Sequence, residues 1–197
     1  MSTPHGSRST AEGPAILCLM RLEEAAFFER LLTSHRHIRC LHVATVDDVE
    51  RAISTYPGSR LIAFSTDVIV PPVCIDRLQG NGFNFHLGPP ERPGYRPTAF
   101  AAHDGARSFG VTFHGMIEQV DAGPIFAVER FDLAGTETDE ELSILAYRTA
   151  LDLAAKIAPR LADPESRFTR LAEDWGERRT TRRQYDAMLA AHMRVEP

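Results

Sequence analysis

A chain of 197 residues, 43% hydrophobic and 25% charged, has the size and make-up of one large soluble domain with its own core. Its formal charge of −5 argues against nucleic acid as a partner, because Lys and Arg have no surplus with which to displace counterions. No apolar stretch approaches the length of a membrane span, so no membrane partner is expected either.

Met1 to Gly13 is rich in Ser, Thr, Gly and Pro and lacks the apolar core of a signal peptide. It reads as a disordered lead-in, with residues 14–197 forming a single domain that ends in a helical tail, and the location expected is cytoplasmic. Cys18, Cys40 and Cys74 lie in or beside apolar runs and read as buried, reduced thiols. Ala15 to Met20 suits a strand buried on both faces, and Glu23 to Ser34 has helical spacing. Ile38 to Thr45 is a second strand. Asp47 or Asp48 then caps a helix running to Tyr56, which Pro57-Gly58 stops. Arg60 to Phe64 is a third strand, and Pro71-Pro72 leads into a short helix over Val73 to Leu78.

Phe83 to His86 follows as a strand, then a loop to Pro97 stiffened by its prolines and suited to carrying binding groups. Thr98 to His103 reads as helix, and Ser108 to Glu118 and Ile125 to Leu133 as β-rich runs joined by a turn at Asp121. Thr138 with Glu141 is a capping-box signature for a long helix to about Leu161, broken by Pro164. A last helix covers Arg182 to Met193, and Arg178, Arg179, Arg182 and Arg183 read as a solvated helix face. Strands alternating with helices in the first half imply a mostly parallel sheet with crossovers.

Within this frame Asn84, His86 and Asp121 are the groups that moving an acyl carbon onto an amine requires. An amide can donate to a developing oxyanion, an imidazole can carry a proton, and a carboxylate can hold that imidazole charged. On a strand Asn84 and His86 share one face. Taken singly, each has a structural alternative: a strand-end cap, a satisfied core histidine, a turn aspartate. His35, His37 and His42 read as surface histidines rather than metal ligands, and no metal is expected.

Leu61-Ile-Ala-Phe64, Asn84-Phe-His86, a Pro-rich loop ending in Tyr95-Arg96, Gly110-Val-Thr-Phe-His114 and Val120-Asp-Ala-Gly-Pro124 occur in this order. In that set the chain resembles the catalytic domain of the folate-dependent formyltransferases, a group that includes glycinamide ribonucleotide, methionyl-tRNA and amino-sugar N-formyltransferases. The separations of Asn84 and of His114 from Asp121 fall where that family places its own residues. The resemblance covers most of Ala15 to about Leu161. It implies a seven-stranded, Rossmann-like, mostly parallel α/β sheet flanked by helices, with 10-formyltetrahydrofolate as co-substrate and no metal.

By the same resemblance, the pterin ring would lie against Val68, Val70 and Ile75 on one side and Glu118 and Val120 on the other. Asn84, protonated His86 and Asp121 would be catalytic. His114 and Thr112 would support them, His114 by orienting Asp121 or its loop. Arg92, Tyr95 and Arg96 would face the acceptor.

Three departures narrow the expected acceptor. Met20-Arg-Leu-Glu-Glu24 is acidic and glycine-free where the purine enzyme binds phosphate, so glycinamide ribonucleotide is a poor candidate. Transfer to tRNA is not expected from an acidic chain without the tRNA enzyme's C-terminal barrel. The Pro-rich loop is also longer than the family's. The function expected is N-formyl transfer from 10-formyltetrahydrofolate to a small-molecule amine. The alternatives are formyltetrahydrofolate hydrolysis or non-catalytic folate binding, and the sequence leaves open whether the chain forms a homodimer.

Overall fold

The computed structural model of the protein describes residues 13–192, so nearly all of the expected lead-in lies outside the described residues. In chain order the elements are β1 (Ile16–Leu19), α1 (Leu22–Thr33), β2 (Cys40–Val43), α2 (Val46–Thr55), β3 (Arg60–Phe64) and α3 (Pro72–Leu78). They continue with β4 (Gly82–His86), α4 (Pro97–His103), β5 (Ser108–Gly115), β6 (Ile125–Asp132), α5 (Asp139–Ala162) and α6 (Arg182–His192). One sheet forms in the order β2-β1-β3-β4-β5-β6. Its first four neighbours pair parallel, and β5 and β6 join antiparallel.

Every residue of β1 and β3 is buried, as apolar strands covered on both faces must be. One face carries an aromatic core in which Phe28, Phe64, Phe83, Phe85 and Phe113 pack beneath α1 and α5. The opposite face packs Leu17, Leu61 and Ala63 against α2 and α3. Strand β4 alternates between them: Phe83 and Phe85 enter the aromatic core, while Asn84 and His86 face the other way.

Six strands, rather than the seven implied by the resemblance, lie among the described residues. Beyond α5 the chain is extended but joins no sheet. It makes one isolated bridge, Gly94 to Thr180, and the amides of Leu171, Gly176 and Thr180 donate to the carbonyls of Ile125, Pro90 and Pro93. Helix α2 starts on Thr45, not on an aspartate: Thr45 Oγ1 accepts the Asp48 amide at 3.2 Å, and Asp48 Oδ2 accepts the Thr45 amide at 3.1 Å. Asp48 is the third helical residue, where a carboxylate bonds back to the cap. The Thr138–Glu141 capping box forms as expected.

At the start of α1, the buried Glu24 accepts the Arg21 amide at 2.9 Å, pairs with the Arg21 guanidinium and takes the Tyr147 hydroxyl at 3.1 Å. At the far end of α5, buried Arg60 donates to the carbonyls of Arg160, Leu161, Asp163 and Ser166. Those of Arg160 and Leu161 are acceptors that the end of α5 leaves unpaired. Burial pushes the Arg60 guanidinium down to about 10.

Cys18, Cys40 and Cys74 are free thiols, but Cys40 is only half-buried because β2 is the sheet edge. Arg178 and Arg179 precede α6 instead of lying on it, while Arg182 and Arg183 open its exposed first turn. No helix among the described residues is long and apolar enough to cross a membrane.

Candidate active site

Antiparallel pairing of β4 with β5 sets the polar residues side by side: Asn84 lies opposite His114, and His86 opposite Thr112. A register shift in the β5–β6 pairing at Phe113/His114 falls beside these residues, a common placement for such irregularities next to functional sites. The turn after β5 then brings in Asp121, which is buried and holds a left-handed backbone conformation with φ of 47°. Such a conformation is tolerated by aspartate better than by most side chains.

The Asn84 side-chain amide lies 3.1 Å from His114 Nε2, and His114 Nδ1 lies 2.9 Å from the Gly115 carbonyl. A carbonyl only accepts, so Nδ1 carries the hydrogen in the neutral ring and Nε2 receives the Asn84 N–H. His114 Nε2 is also 3.5 Å from Asp121 Oδ1. His114 thus stands between Asn84 and Asp121. On the other side of the carboxylate, His86 Nδ1 lies 3.3 Å from Asp121 Oδ2, and His86 Nε2 bonds the Arg92 carbonyl at 3.0 Å.

Burial is the largest influence on both titrating groups. It pushes His86 down despite the opposing pull of Asp121 and the Arg92 carbonyl, and His114 and Arg179 push the same way as burial. For Asp121 burial acts upward, but His86, His114 and the Gly94 amide together outweigh it and hold the carboxyl at about 2. The expected protonated His86 thus meets opposing influences: burial works against its charge, while the Arg92 carbonyl at Nε2 and the Asp121 carboxylate at Nδ1, both acceptors, favour it.

A cleft opens between the segment after β3 and the turn after β5. Val68, Val70, Ile75, Glu118 and Val120, the residues expected to contact the pterin, all line it, and Asn84, His114 and Asp121 stand at its polar end. Val68, Ile75 and Val120 give it apolar walls suited to a flat ring system.

His86 is not on the cleft surface. Arg92, Tyr95 and Arg96 do not line it either. Arg92 pairs with Asp104 at 2.8 Å, Tyr95 packs edge-on against Tyr185, and the Arg96 guanidinium lies over the Tyr185 ring. The Pro-rich loop is turned towards α6, and these side chains go with it. Thr112 supports the site from below, its hydroxyl donating to the Gly88 carbonyl at 2.8 Å. Gly88 must be glycine, since a Cβ there would lie 2.5 Å from His86 Nε2.

The segment after α5 supplies contacts that sequence reasoning missed. Trp175 stands edge-on to His114 and His86, with ring centroids 4.9 and 5.7 Å apart, and its Nε1–H donates to the Gly123 carbonyl at 2.7 Å. Gly176 donates to the Pro90 carbonyl at 2.8 Å, and Thr180 exchanges backbone bonds with Pro93 and Tyr95. The Arg179 guanidinium donates to the Asp121 carbonyl at 3.2 Å. Gly94, at φ of 102°, sends its amide to Asp121 Oδ2 at 2.9 Å, and a Cβ on it would strike the Thr180 carbonyl. The lone tryptophan, followed by glycine in a segment without periodicity, was the available signal.

An open α/β sheet with a cleft beside its strands is a common setting for small-molecule binding. A model of the formyl transferase family matches residues 47–153, and the chain belongs to that family. Its fold is similar to that of the formyltransferase PseJ from Anoxybacillus kamchatkensis, whose structure is a complex with UDP-4,6-dideoxy-4-formamido-L-AltNAc and tetrahydrofolate. That pair is 16% identical over 89% of this chain and 90% of PseJ, with a TM-score of 0.74. A 4-N formyltransferase from Francisella tularensis is 15% identical over 88% of this chain and 79% of its own, TM-score 0.74. A formyltetrahydrofolate deformylase from Pseudomonas syringae is 16% identical over 78% of this chain and 62% of its own, TM-score 0.60.

Proposed function

We propose that the protein is an N-formyltransferase that moves the formyl group of 10-formyltetrahydrofolate onto the amine of a small molecule. The observation that carries this reading is the meeting of Asn84, His114 and Asp121 at the end of a cleft walled by Val68, Val70, Ile75 and Val120. The reduced folate enters as co-substrate, its flat pterin between the apolar walls and its formyl group towards Asn84.

The acceptor amine attacks the formyl carbon, and the carbonyl electron pair moves to oxygen. Asn84 has two N–H bonds, of which His114 takes one, and the second is free for that oxygen. The attacking nitrogen must lose a proton and the leaving folate nitrogen must gain one. Asp121, at about 2, is ionised at neutral pH and is too weak a base to hold a proton alone. Behind it, His86 Nδ1 faces the carboxylate with Nε2 already committed to Arg92, so a proton arriving at Asp121 settles between Oδ2 and Nδ1. The pair takes the proton from the amine and returns it to the folate nitrogen as the carbon–nitrogen bond breaks. His86 in this scheme acts through Asp121 rather than on the oxyanion.

The acceptor is a small amine, with amino sugars one class to test. Glu24 already provides an anion at the α1 N-terminus, which argues against an acceptor phosphate seated there.

The test is to incubate the protein with 10-formyltetrahydrofolate, with and without a panel of amines, and to follow tetrahydrofolate release. Release that requires an amine supports transfer. Release in water alone would replace the reading with hydrolysis, folate binding without release would leave a binding protein, and no binding would remove the donor assignment.

A further inference from the structure

We infer that Trp175 is a positioning residue of the active site, fixing the Asp121 turn through Gly123 and sealing the outer side of the two imidazoles against water. The inference rests on the formyl-transfer reading for its kinetic arm but not for its spectroscopic one.

Three contacts converge on this side chain. Its Nε1–H is spent on the Gly123 carbonyl at 2.7 Å, only two residues beyond Asp121, so the indole anchors the turn that presents the carboxylate. Its ring stands nearly perpendicular to His114, at 84°, and steeply inclined to His86, at 71°. Edge-to-face packing of this kind covers the imidazoles with apolar surface without competing for their nitrogens. Gly176 and Thr180 pin the chain after the indole to the Pro-rich loop, and Leu171 pins the chain before it to the Ile125 carbonyl.

Trp175 does not line the cleft that holds Asn84, His114 and Asp121, and its one donor is spent on Gly123. Its effect passes through the groups it packs against. Those facing His86 are the Asp121 carboxylate from the turn after β5, the Arg92 carbonyl from the Pro-rich loop, His114 from β5 and the Arg179 guanidinium beyond Trp175. None of them excludes water from the ring edge as the indole does. With the indole gone, water can reach that edge and solvate the charged imidazole.

The experiment uses the whole protein and two variants. In Trp175→Ala the seal is lost, and the His86 titration midpoint, followed by NMR and assigned against His86→Gln, is expected to rise by on the order of one pH unit. In Trp175→Phe a ring remains but the bond to Gly123 is lost. The midpoint should then stay near that of the parent, while kcat falls on the order of tenfold with the KM for folate unchanged, the mark of a misplaced carboxylate rather than a damaged folate cleft.

An unmoved midpoint in a folded Trp175→Ala protein overturns the sealing role, and full kcat in Trp175→Phe overturns the anchoring role. Should Trp175→Ala not fold, Trp175→Phe still decides the anchor and Trp175→Leu takes over the titration. The NMR readout needs neither donor nor acceptor, so it stands even if the parent protein proves unable to transfer formyl groups.

Discussion

Asp121 and Gly94 meet across 2.9 Å, the backbone amide of a Pro-rich loop donating to the carboxylate of a turn that follows a different strand. Because that amide bonds only the ionised or acceptor face of the carboxyl, the loop position and the charge of Asp121 support each other. Removing the charge while keeping an acceptor for that amide separates the part Asp121 plays in the reaction from its hold on the loop.

Asp121→Asn keeps an oxygen for the Gly94 amide and tolerates the left-handed backbone, but it cannot take up a proton. Turnover should fall by about 10²–10⁴, with folate affinity within about threefold of the parent. Steady-state kinetics together with calorimetric folate titration measure both. A variant of undiminished kcat would remove Asp121 from the mechanism.

Asn84→Ala removes the donor aimed at the developing oxyanion. The expected loss is roughly 2.7–4 kcal/mol of transition-state stabilisation, about 10²–10³ in kcat. Since His114 Nε2 also loses its partner, the companion variant His114→Gln is needed to separate the two effects, and it should cost less than Asn84→Ala if His114 only orients. Equal losses would place His114 in the reaction itself.

Acid should unfold the protein in two windows. His86 is held below its ordinary value of 6.5 in the fold, so below that pH the unfolded chain binds the extra proton and stability falls. Asp121 is held at about 2 against an ordinary 3.8, and its share of stability, roughly 2 kcal/mol, is present above 3.8 and lost as pH falls towards 2. Urea midpoints measured from pH 7 to 5 should decline, and the decline should be shallower in His86→Gln. An identical slope in that variant would contradict the burial argument.

Arg60→Met keeps the aliphatic stem over Phe83 and Phe168 but leaves the last carbonyls of α5 without their donor. The cost should be on the order of 3 kcal/mol, a fall of about 10 °C in Tm, with the folate affinity of the remaining folded protein unchanged. Differential scanning calorimetry tests it, and a shift within about 2 °C would show that water replaces the guanidinium at no loss.

Much of this molecule could be read in its sequence because its elements announce themselves locally. The apolar runs of β1 and β3, the Pro72 start of α3 and the Thr138–Glu141 box each act over a few residues, and each formed where it was expected. The residues that the resemblance assigned to the pterin, Val68, Val70, Ile75, Glu118 and Val120, do come together in one cleft. Missed features were those made between distant segments. Nothing near His86 in the chain says that Arg92 will close over its Nε2 or that Trp175 will cover its ring. Nor did the sequence show that Tyr95 and Arg96, expected to face the acceptor, would pack against Tyr185 of α6.

The bonds from the segment after α5 to the two active-site loops close intervals of 52 residues, Trp175 to Gly123, and 87 residues, Thr180 to Pro93. Closing intervals of that length costs more chain entropy than zipping the neighbouring antiparallel strands β5 and β6. In refolding, the sheet should therefore regain its structure while the carboxylate is still loosely held. Tryptophan fluorescence, which reports the indole reaching His114, would then lag behind the recovery of circular dichroism.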